Sequence, residues 1–190
     1  MSYIVVPYNP EWPGEFARLG AHLRQVLGEL ALRIDHIGST SVPNLAAKDI
    51  IDIQITAGGL SEELDTALKS AGYLRYKGIV QDHVPPGGPM DISEWSKWVF
   101  KPPVSERAAN IHVRIRGKAN QRYPLLCRDY LRAHPHIAAA YAQAKLALIK
   151  HDMNTNEAYY DVKDPIFDII MGGAEAWATT TLWQPGPSDC

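Results

Sequence analysis

The sequence has 190 residues, of which 46% are hydrophobic, and a formal net charge of −2 at pH 7. A chain of this size can bury one sizeable core, so we expect a single domain over residues 1–178 and a flexible tail over 179–190. The near-neutral charge gives no electrostatic case for nucleic acid as the main partner. No apolar run reaches the roughly 18 residues of a membrane span, and no signal-peptide pattern is present. With Cys127 and Cys190 read as free thiols, we expect a cytoplasmic protein without a membrane partner.

The first half of the sequence predicts strands separated by helices and turns. A short apolar run at 2–6 fits an edge strand, and Asn9-Pro10 opens a helix with an apolar stripe from Phe16 to Leu30. The Pro- and Gly-rich stretch 81–91 predicts a loop and a candidate active-site flap. Further strands are predicted over 34–37, 50–55, 73–76, 79–80, 95–101 and 110–116, with a helix from Ser61 between the second and third of these.

The second half of the sequence predicts helices. Apolar periodicity indicates helices over 122–133 and 137–150, separated at Pro135. A turn is expected at 157–161, and Pro165 is expected to begin a last helix, since proline is tolerated in a first turn. Strands followed by helices predict an α+β fold.

The stretch from Ile34 to Gln54 carries the clearest chemical pattern. One strand ends at Gly38, Ser39 begins a small polar turn, and the next strand carries Asp52 and Gln54 on one face because strand side chains alternate. Turn amides and hydroxyls bind phosphate, and a carboxylate on the neighbouring strand can hold the Mg²⁺ that a phosphate carries. The pattern predicts a minimal phosphoryl- or nucleotidyl-transfer site.

This Gly-Ser turn followed by Asp-apolar-acid resembles the signature of the nucleotidyltransferase superfamily. More specifically, this stretch resembles the GrpB family through the sequence H-I-G-S-T-S-V-P-N-L-A-A-K-D-I-I-D-I. The GrpB family also forms the C-terminal domain of some bacterial dephospho-CoA kinases. The resemblance runs from Val6 to about Lys163. It implies a nucleotidyltransferase-like mixed β-sheet with flanking helices and a helical C-terminal part. It also implies an NTP substrate, a small-molecule acceptor, and Mg²⁺ or Mn²⁺ as cofactor.

The candidates for catalysis are Asp52 and His112, and the candidates for metal binding are these two with Gln54. Aspartate is disfavoured in the middle of a strand, which favours a functional reason for Asp52. The superfamily pattern has an acid where this chain has Gln54, and a neutral amide cannot supply the charge that two Mg²⁺ ions require. His112 lies on the strand where the superfamily's third acid is expected. It is read either as a metal ligand or base, or as a structural histidine held by a carboxylate.

The remaining candidates are predicted to bind phosphates or substrate. Arg114 shares a strand face with His112 and suits a bidentate phosphate clamp. The segment L-C-R-D-Y-L-R-A-H-P resembles a second GrpB signature and places Arg128 and Arg132 on one helix face. Two Y-x-x-x-K segments resemble a further family pattern. The predicted phosphate-binding set is His36, Gly38, Ser39, Thr40, Ser41, Lys48, Arg114, Arg128, Arg132, Lys145 and Lys163, and the predicted substrate-binding tyrosines are Tyr141 and Tyr160.

Each of these candidates has a structural alternative. His36 is equally well read as a buried core histidine, and Lys48 as a solvated loop lysine. Residues 39–41 also fit a helix cap, which is compatible with a phosphate site because both use unpaired N–H groups. Arg128 and Arg132 fit an ion pair between helices as well as an anion site. The tyrosines fit core packing as well as base stacking.

Two functional hypotheses follow. The first is a GrpB-like nucleotidyltransferase that transfers a nucleoside monophosphate from an NTP to a small acceptor. The second is a non-catalytic nucleotide- or CoA-binding accessory module, suggested by Gln54 in place of an acid. The sequence contains no G-x-x-x-x-G-K-[ST] phosphate-binding loop, so kinase activity is not transferred from the dephospho-CoA kinases.

Overall fold

A computed structural model describes residues 4–151 and 156–190 of the chain. A mixed β-sheet is flanked by helices, and the chain is mainly helical from Ala119 onward, as the sequence predicts. The strands are β1 (Arg33–Ile37), β2 (Ile51–Ala57), β3 (Leu74–Tyr76), β4 (Lys97–Lys101) and β5 (Ala109–Ile115). The helices are α1 (Trp12–Leu27), α2 (Glu62–Ser70), α3 (Ala119–Ala133), α4 (Pro135–Lys150) and α5 (Asn156–Thr181). No helix in these ranges has both the length and the apolar character required to cross a membrane.

The sheet has the strand order β1-β2-β5-β4-β3, and all pairs are antiparallel except β2 with β5. Its register aligns the polar positions of the central strands. Asp52 on β2 lies opposite Asn110 on β5, and Gln54 lies opposite His112. Because laterally paired residues share a face, these four side chains form one polar face at the centre of the sheet.

The opposite face of the sheet is apolar and forms the main core. Ile51, Ile53 and Ile55 alternate with the polar residues of β2 and are fully buried. They pack with Trp12 and Phe16 of α1, and with the inner face of α2. The buried aliphatic stripe explains why the period of two in this strand is so regular in the sequence.

A second apolar cluster joins the three C-terminal helices to the loop between β1 and β2. Val42 and Leu45 of that loop are buried among residues of α3, α4 and α5. The loop therefore follows the β1 turn on one side and contacts the helical part on the other. The turn after β1 and the C-terminal helices therefore meet at the end of the sheet that carries Asp52.

Four predicted elements differ in the structure, and one of them is the turn expected at 157–161, which lies inside α5. Residues 79–80 are not in a strand; instead Gln81 forms an isolated bridge with Ser96. In the predicted edge strand, Val6 forms only an isolated bridge with Ala47, and residues 2–3 lie outside the described ranges. The predicted helix start at Pro165 is wrong, because α5 is continuous through it.

Pro165 is tolerated inside α5 because of its surroundings. A proline within a helix removes one hydrogen bond to the carbonyl four residues earlier and costs about 3 kcal/mol. That carbonyl belongs to Asp161, an exposed residue, so water can reach it. Ile170 and Ala174 follow on the same helix and are buried in the second cluster. Tertiary packing of this stripe therefore overrides the local helix-breaking signal.

The last residues of the sequence lie along the outer edge of β1. Backbone N–H groups of Ile34 and His36 donate to Ser188 Oγ (2.9 Å) and Asp189 Oδ2 (2.9 Å). The N–H of Cys190 donates to the carbonyl of Ile34 (3.1 Å). The predicted tail 179–190 thus begins inside α5 and ends as a cover over the open edge of the sheet.

His36 lies on the apolar face of β1 and supports the turn that follows it. Its ring stacks on Phe16 with ring centroids 4.7 Å apart, and Nε2 lies 3.0 Å from Thr40 Oγ1. Burial, assisted by the positive charge of Arg132, lowers the pKa of His36 to about 4. The histidine is therefore neutral at neutral pH.

Replacing Asp189 with alanine tests the attachment of the last residues. Asp189 also accepts from the buried guanidinium of Arg128 (2.8 Å). Removing its carboxylate therefore leaves the His36 N–H and the Arg128 guanidinium each with one acceptor fewer. We expect Asp189→Ala to lower the free energy of unfolding by about 1–3 kcal/mol in urea denaturation. The exposed Glu29→Ala serves as the control and should change it by less than about 0.5 kcal/mol. Equal effects would show that residues 186–190 contribute no stability.

The pH dependence of stability tests the burial of neutral His36. Between pH 6.5 and 4 the unfolded state binds more protons than the folded state, so the free energy of unfolding falls on acidification. His36→Gln should reduce this slope by up to one proton, about 1.4 kcal/mol per pH unit. Urea denaturation from pH 7.5 to 4.5 measures it. The exposed His136→Gln should keep the wild-type slope, and an unchanged slope in His36→Gln would contradict the assignment.

Candidate functional site

The turn after β1 is built so that one of its three hydroxyls remains accessible. Gly38 has φ +70° and ψ −173°, and residues 39–41 form a single 3-10 turn. Ser41 Oγ donates to the carbonyl of Gly38 (2.6 Å), and Thr40 contacts His36. Thr40 and Ser41 are buried, whereas Ser39 is partly exposed. Thr40 and Ser41 therefore shape the turn, and the hydroxyl of the partly exposed Ser39 accepts a hydrogen bond from Lys145.

The turn packs directly against the carboxylate of Asp52. A Cβ placed on Gly38 would lie 2.9 Å from Asp52 Cβ, 3.0 Å from Asp52 Cγ, and closer still to Oδ2. The antiparallel register, which pairs Ile37 with Asp52, produces this approach. A side chain at position 38 would both clash and adopt a backbone conformation that only glycine occupies readily. The structure thus brings together the turn and the acid, as the sequence predicts.

Asp52 is oriented by neighbours on β5. Its side chain is 28% exposed, Oδ1 accepts from Asn110 Nδ2 (2.7 Å), and Oδ1 lies 3.7 Å from His112 Nε2. Asn110 in turn accepts from the ammonium of Lys101. Burial raises the pKa of Asp52, but the effects of His112 and Asn110 outweigh it and hold the pKa below its usual value. The carboxylate is therefore ionised, fixed in orientation and open to solvent on one side.

Three lysines from separate elements surround this carboxylate; we call Lys48, Lys145 and Lys163 the lysine cluster. Burial and then the charge of Lys163 lower the pKa of Lys48 to about 8 and that of Lys145 to about 7, while Asp52 opposes both shifts. Such mutual effects require the charges to lie near one another. When protonated, the three lysines outnumber the carboxylates of Asp52 and Asp164, the second of which lies 3.4 Å from Lys163 Nζ, and this surplus of positive charge attracts a polyanion.

The lysine cluster is anchored to the turn and to tyrosines of α5. Lys145 Nζ donates to Ser39 Oγ (2.9 Å) and to the carbonyl of Ala46 (2.6 Å). Lys48 Nζ lies over the rings of Tyr159 and Tyr160, at 4.1 and 5.0 Å from the centroids. Lys163 Nζ lies 5.4 Å from the centroid of Tyr160. Tyr160 is 43% exposed, and its ring borders the cluster.

His112 is a neutral imidazole beside Asp52. Burial lowers its pKa to about 4, and the charges of Arg114 and Lys97 act in the same direction. Its Nδ1 is buried and has no hydrogen-bond partner within the described ranges. A base with this pKa is weak at neutral pH, because general bases work best with a pKa near the operating pH. His112 Nε2 lies 3.7 Å from Asp52 Oδ1, beyond hydrogen-bond distance, so the imidazole flanks the carboxylate without bonding it.

The structure does not place Gln54 and Arg114 at the site. Arg114 is buried and makes a bidentate contact to Asp82 (2.8 and 2.9 Å), while Nη1 donates to Gln54 Oε1 (2.9 Å). Gln54 is fully buried, and its Nε2 donates to the carbonyl of Gln121 (2.8 Å). Both ends of the Gln54 amide are thus engaged, and so is the whole guanidinium. The predicted metal ligand and the predicted phosphate clamp are instead one interior network.

Arg128 and Arg132 form ion pairs, but not the predicted one between helices, because their partners are Asp129 of α3 itself and Asp189 near the end of the sequence. Arg128 is buried and bonds Asp129 (2.7 Å), Asp189 (2.8 Å) and the carbonyl of His36 (3.1 Å). Arg132 is exposed; it donates to the carbonyl of Ser41 (3.0 Å) and lies 3.8 Å from Asp129. They hold α3 against β1 and its turn, which leaves no role for Arg128 as a phosphate ligand.

Two further predicted residues are supports rather than ligands. His36 lies on the far face of the sheet from Asp52, with Ile53, and acts through Thr40. Tyr141 is buried against Phe167 and lies beneath the Lys145 ammonium, 4.5 Å from the ring centroid. His36 therefore lies behind Thr40, and Tyr141 lies behind Lys145.

The sequence interpretation missed Asn110 and Lys101. Asn110 is two residues before His112, so the alternation that selected the histidine also places the asparagine on the polar face. Lys101 is the last residue of β4, ahead of Pro102-Pro103, and a signal for it exists only once the pairing of β4 with β5 is known. Together they complete the row Lys101, Asn110, Asp52 across three strands.

The residues present fit one Mg²⁺ and not two. Magnesium is held in nucleotide sites by one or two carboxylates together with substrate phosphates. Asp52 supplies one carboxylate with an accessible side, which meets that minimum. No group of three or more His, Cys, Asp or Glu side chains converges within residues 4–151 and 156–190. With Gln54 engaged by Arg114, a second ion has no anionic support in this network.

One surface cavity lies away from Asp52. It has about 330 Å³ and is lined by α1, the residues after α2 and the loop after β4. A smaller cavity of about 210 Å³ is lined by Lys101 and the same loop, one strand across from Asp52. The polar end of the sheet itself is an open surface bordered by the lysine cluster, which suits an extended, charged ligand better than a small apolar one.

Comparison with known proteins gives a consistent result. The family model described as GrpB protein matches residues 2–172. A dephospho-CoA kinase of Mycolicibacterium paratuberculosis is 35% identical; the match covers 95% of this chain, which spans 48% of that kinase's length. A UPF0157 protein of Halalkalibacterium halodurans is 34% identical over 92% of this chain and 84% of its own length.

A solved structure agrees with these matches. The crystal structure of conserved protein GrpB from Enterococcus faecalis has a TM-score of 0.70 and 28% identity, and the match covers 92% of this chain and 99% of that one. A family model over most of the chain, full-length relatives above 30% identity and a shared fold lead to one conclusion: the chain belongs to the GrpB family.

Proposed function

We propose that this chain is a GrpB-like nucleotidyltransferase, which transfers a nucleoside monophosphate from an NTP to a small-molecule acceptor with one Mg²⁺. The observation that carries the proposal is the packing of the Gly38 turn against the ionised Asp52, beside the lysine cluster. A hydroxyl-bearing turn, one fixed carboxylate and several ammonium groups are together what a metal-bound triphosphate requires.

In this proposal the turn and the lysine cluster bind the triphosphate. Ser39 and the turn amides contact the β- and γ-phosphates, and Lys48 and Lys163 approach from the loop and from α5. As the bond to the α-phosphorus breaks, negative charge grows on the departing pyrophosphate, and fixed ammonium groups stabilise it. Tyr160, half-exposed beside Lys48 and Lys163, is placed to stack on the base.

Asp52 holds the metal ion and is kept in place by β5. Mg²⁺ would supply charge neutralisation at the triphosphate and orient its oxygens. Asn110 fixes one oxygen of Asp52, and neutral His112 lies on the same side, so the carboxylate keeps one orientation. We assign His112 to positioning Asp52, since its low pKa makes it a weak base for the acceptor.

A non-catalytic nucleotide- or CoA-binding module is the second candidate. It is favoured by the single carboxylate, since the Gln54 amide is engaged by Arg114 and Gln121. It is also suggested by the match to half the length of a dephospho-CoA kinase. Such a module would bind ATP, CTP or CoA with little metal requirement and release no pyrophosphate. Calorimetry with and without Mg²⁺ distinguishes it from an enzyme.

Replacing Asp52 with asparagine tests the proposed reaction. With NTP, Mg²⁺ and a pool of candidate acceptors, wild type should release pyrophosphate, and Asp52→Asn should reduce the rate on the order of 100-fold or more because the metal loses its carboxylate. The exposed Glu63→Gln on α2 should retain the wild-type rate. Wild-type activity in Asp52→Asn would remove this residue from the mechanism, and binding without pyrophosphate release in wild type would favour the second candidate.

Replacing Gly38 with alanine tests the geometry of the turn. The added Cβ meets Asp52 and forces a backbone region that costs about 1–3 kcal/mol for other residues. We expect a lower free energy of unfolding in urea and at least a tenfold weaker NTP affinity by calorimetry. Gly58→Ala is the matched control, because nothing lies within 4 Å of a Cβ there and its φ is ordinary. Unchanged affinity in a stably folded Gly38→Ala would contradict the proposed site.

A further inference from the structure

Lys145 differs from the other two lysines of the cluster in its contacts. It is 2% exposed, whereas Lys48 and Lys163 are only partly buried. Its ammonium has two neutral oxygen partners, Ser39 Oγ and the carbonyl of Ala46. No carboxylate lies within 4 Å of it among the described residues. A buried amine without an anionic partner ionises only at a free-energy cost, and an incoming anion would lower that cost.

The position of Lys145 links α4 to both ends of the β1–β2 loop. Ser39 belongs to the turn that begins this loop, and Ala46 lies seven residues further on. Two hydrogen bonds from one ammonium therefore fix the direction of the Ser39 hydroxyl relative to the strand that carries Asp52. Lys145 thus reaches a ligand through Ser39 rather than by an exposed charge of its own.

We propose that Lys145 is a positioning residue for Ser39, and that it gains one proton from solvent when a nucleoside triphosphate binds at the turn. This rests on the proposed function, since it requires a polyanion at the site. The proton adds to the free electron pair of the neutral amine, and the resulting ammonium keeps its hydrogen bond to Ser39 as the ligand's negative charge arrives. Ligand binding and protonation are therefore linked, and each favours the other.

The charged and titratable groups facing Lys145 support this linkage. They come from every element packed around it: Lys48 of the loop, Asp52 of β2, Cys127 of α3, Tyr141 of its own helix, and Lys163 of α5. Burial raises the pKa of Cys127 to about 12 and that of Tyr141 well above its usual value, so both stay neutral at pH 8. With a pKa of about 7, Lys145 is mostly neutral at pH 8 in the free protein. A triphosphate raises that pKa.

Calorimetry at pH 8 in two buffers of different ionisation enthalpy measures the protons taken up on binding. The probe is whichever of ATP, CTP, GTP and UTP binds wild type most tightly, and pH 8 lies above the phosphate pKa of about 6. Lys145→Arg keeps the charge but cannot release a proton, so we expect it to take up about one proton fewer than wild type. Lys150→Arg, at an exposed position of the same helix, should take up the wild-type number. Lys48→Arg separates the smaller uptake by Lys48, whose pKa is about 8.

A second measurement removes the dependence on a folded variant. Wild type is labelled with ¹³C at lysine Cε and titrated by NMR. One lysine should titrate near pH 7 without nucleotide, and the same lysine should stay protonated to at least pH 9 with nucleotide bound. Absence of a lysine signal that titrates near pH 7 overturns the inference. Equal proton uptake by wild type and Lys145→Arg, with nucleotide bound in both, would also overturn it while leaving the proposed function intact. Failure of all four nucleotides to bind wild type would overturn both.

Discussion

The close approach of the Gly38 backbone to the Asp52 carboxylate determines the arrangement of this end of the molecule. An antiparallel register pairs the last residue of β1 with Asp52, so the chain can leave β1 only by passing over the acid. Glycine allows this at positive φ. The remaining supports act on one side or the other of that contact: His36 and Ser41 on the turn, Asn110 and His112 on the carboxylate.

Two polar systems share one face of the sheet and have different roles. Nearer the middle of the face, Arg114 bonds both Asp82 and Gln54; Arg114 and Gln54 are buried, and the side chain of Asp82 is 20% exposed. Such a buried network stabilises only when each member has its partner, which accounts for the engagement of both ends of Gln54. Towards the end of the face, the side chain of Asp52 is partly exposed to solvent. The buried network and the partly exposed carboxylate are thus only two residues apart on β2, at Gln54 and Asp52.

Features set by local rules were predictable from the sequence, and features set by distant partners were not. Alternation placed Asp52 and Gln54 on one face, and the Gly-Ser pair marked the turn. Nothing local indicates that Arg114 pairs with Asp82, because the acid lies 32 residues earlier, next to an irregular Pro- and Gly-rich loop. Pro165 gave a helix-start signal that packing of α5 overrides. The residue types at 186–190 give no indication that this segment forms hydrogen bonds with the backbone of β1.

The cover over β1 has a consequence for how the molecule meets other chains. Strand edges with unpaired backbone groups recruit neighbouring strands, which leads to fibres or unintended dimers. Here residues 188–190 already occupy the hydrogen-bonding positions of β1 at Ile34 and His36. The opposite margin of the sheet is β3, which is three residues long and so offers a foreign strand few bonds. Both edges of the sheet therefore resist sheet-driven polymerisation. Residues 188–190 occupy the β1 edge, and the strand at the other edge, β3, is short.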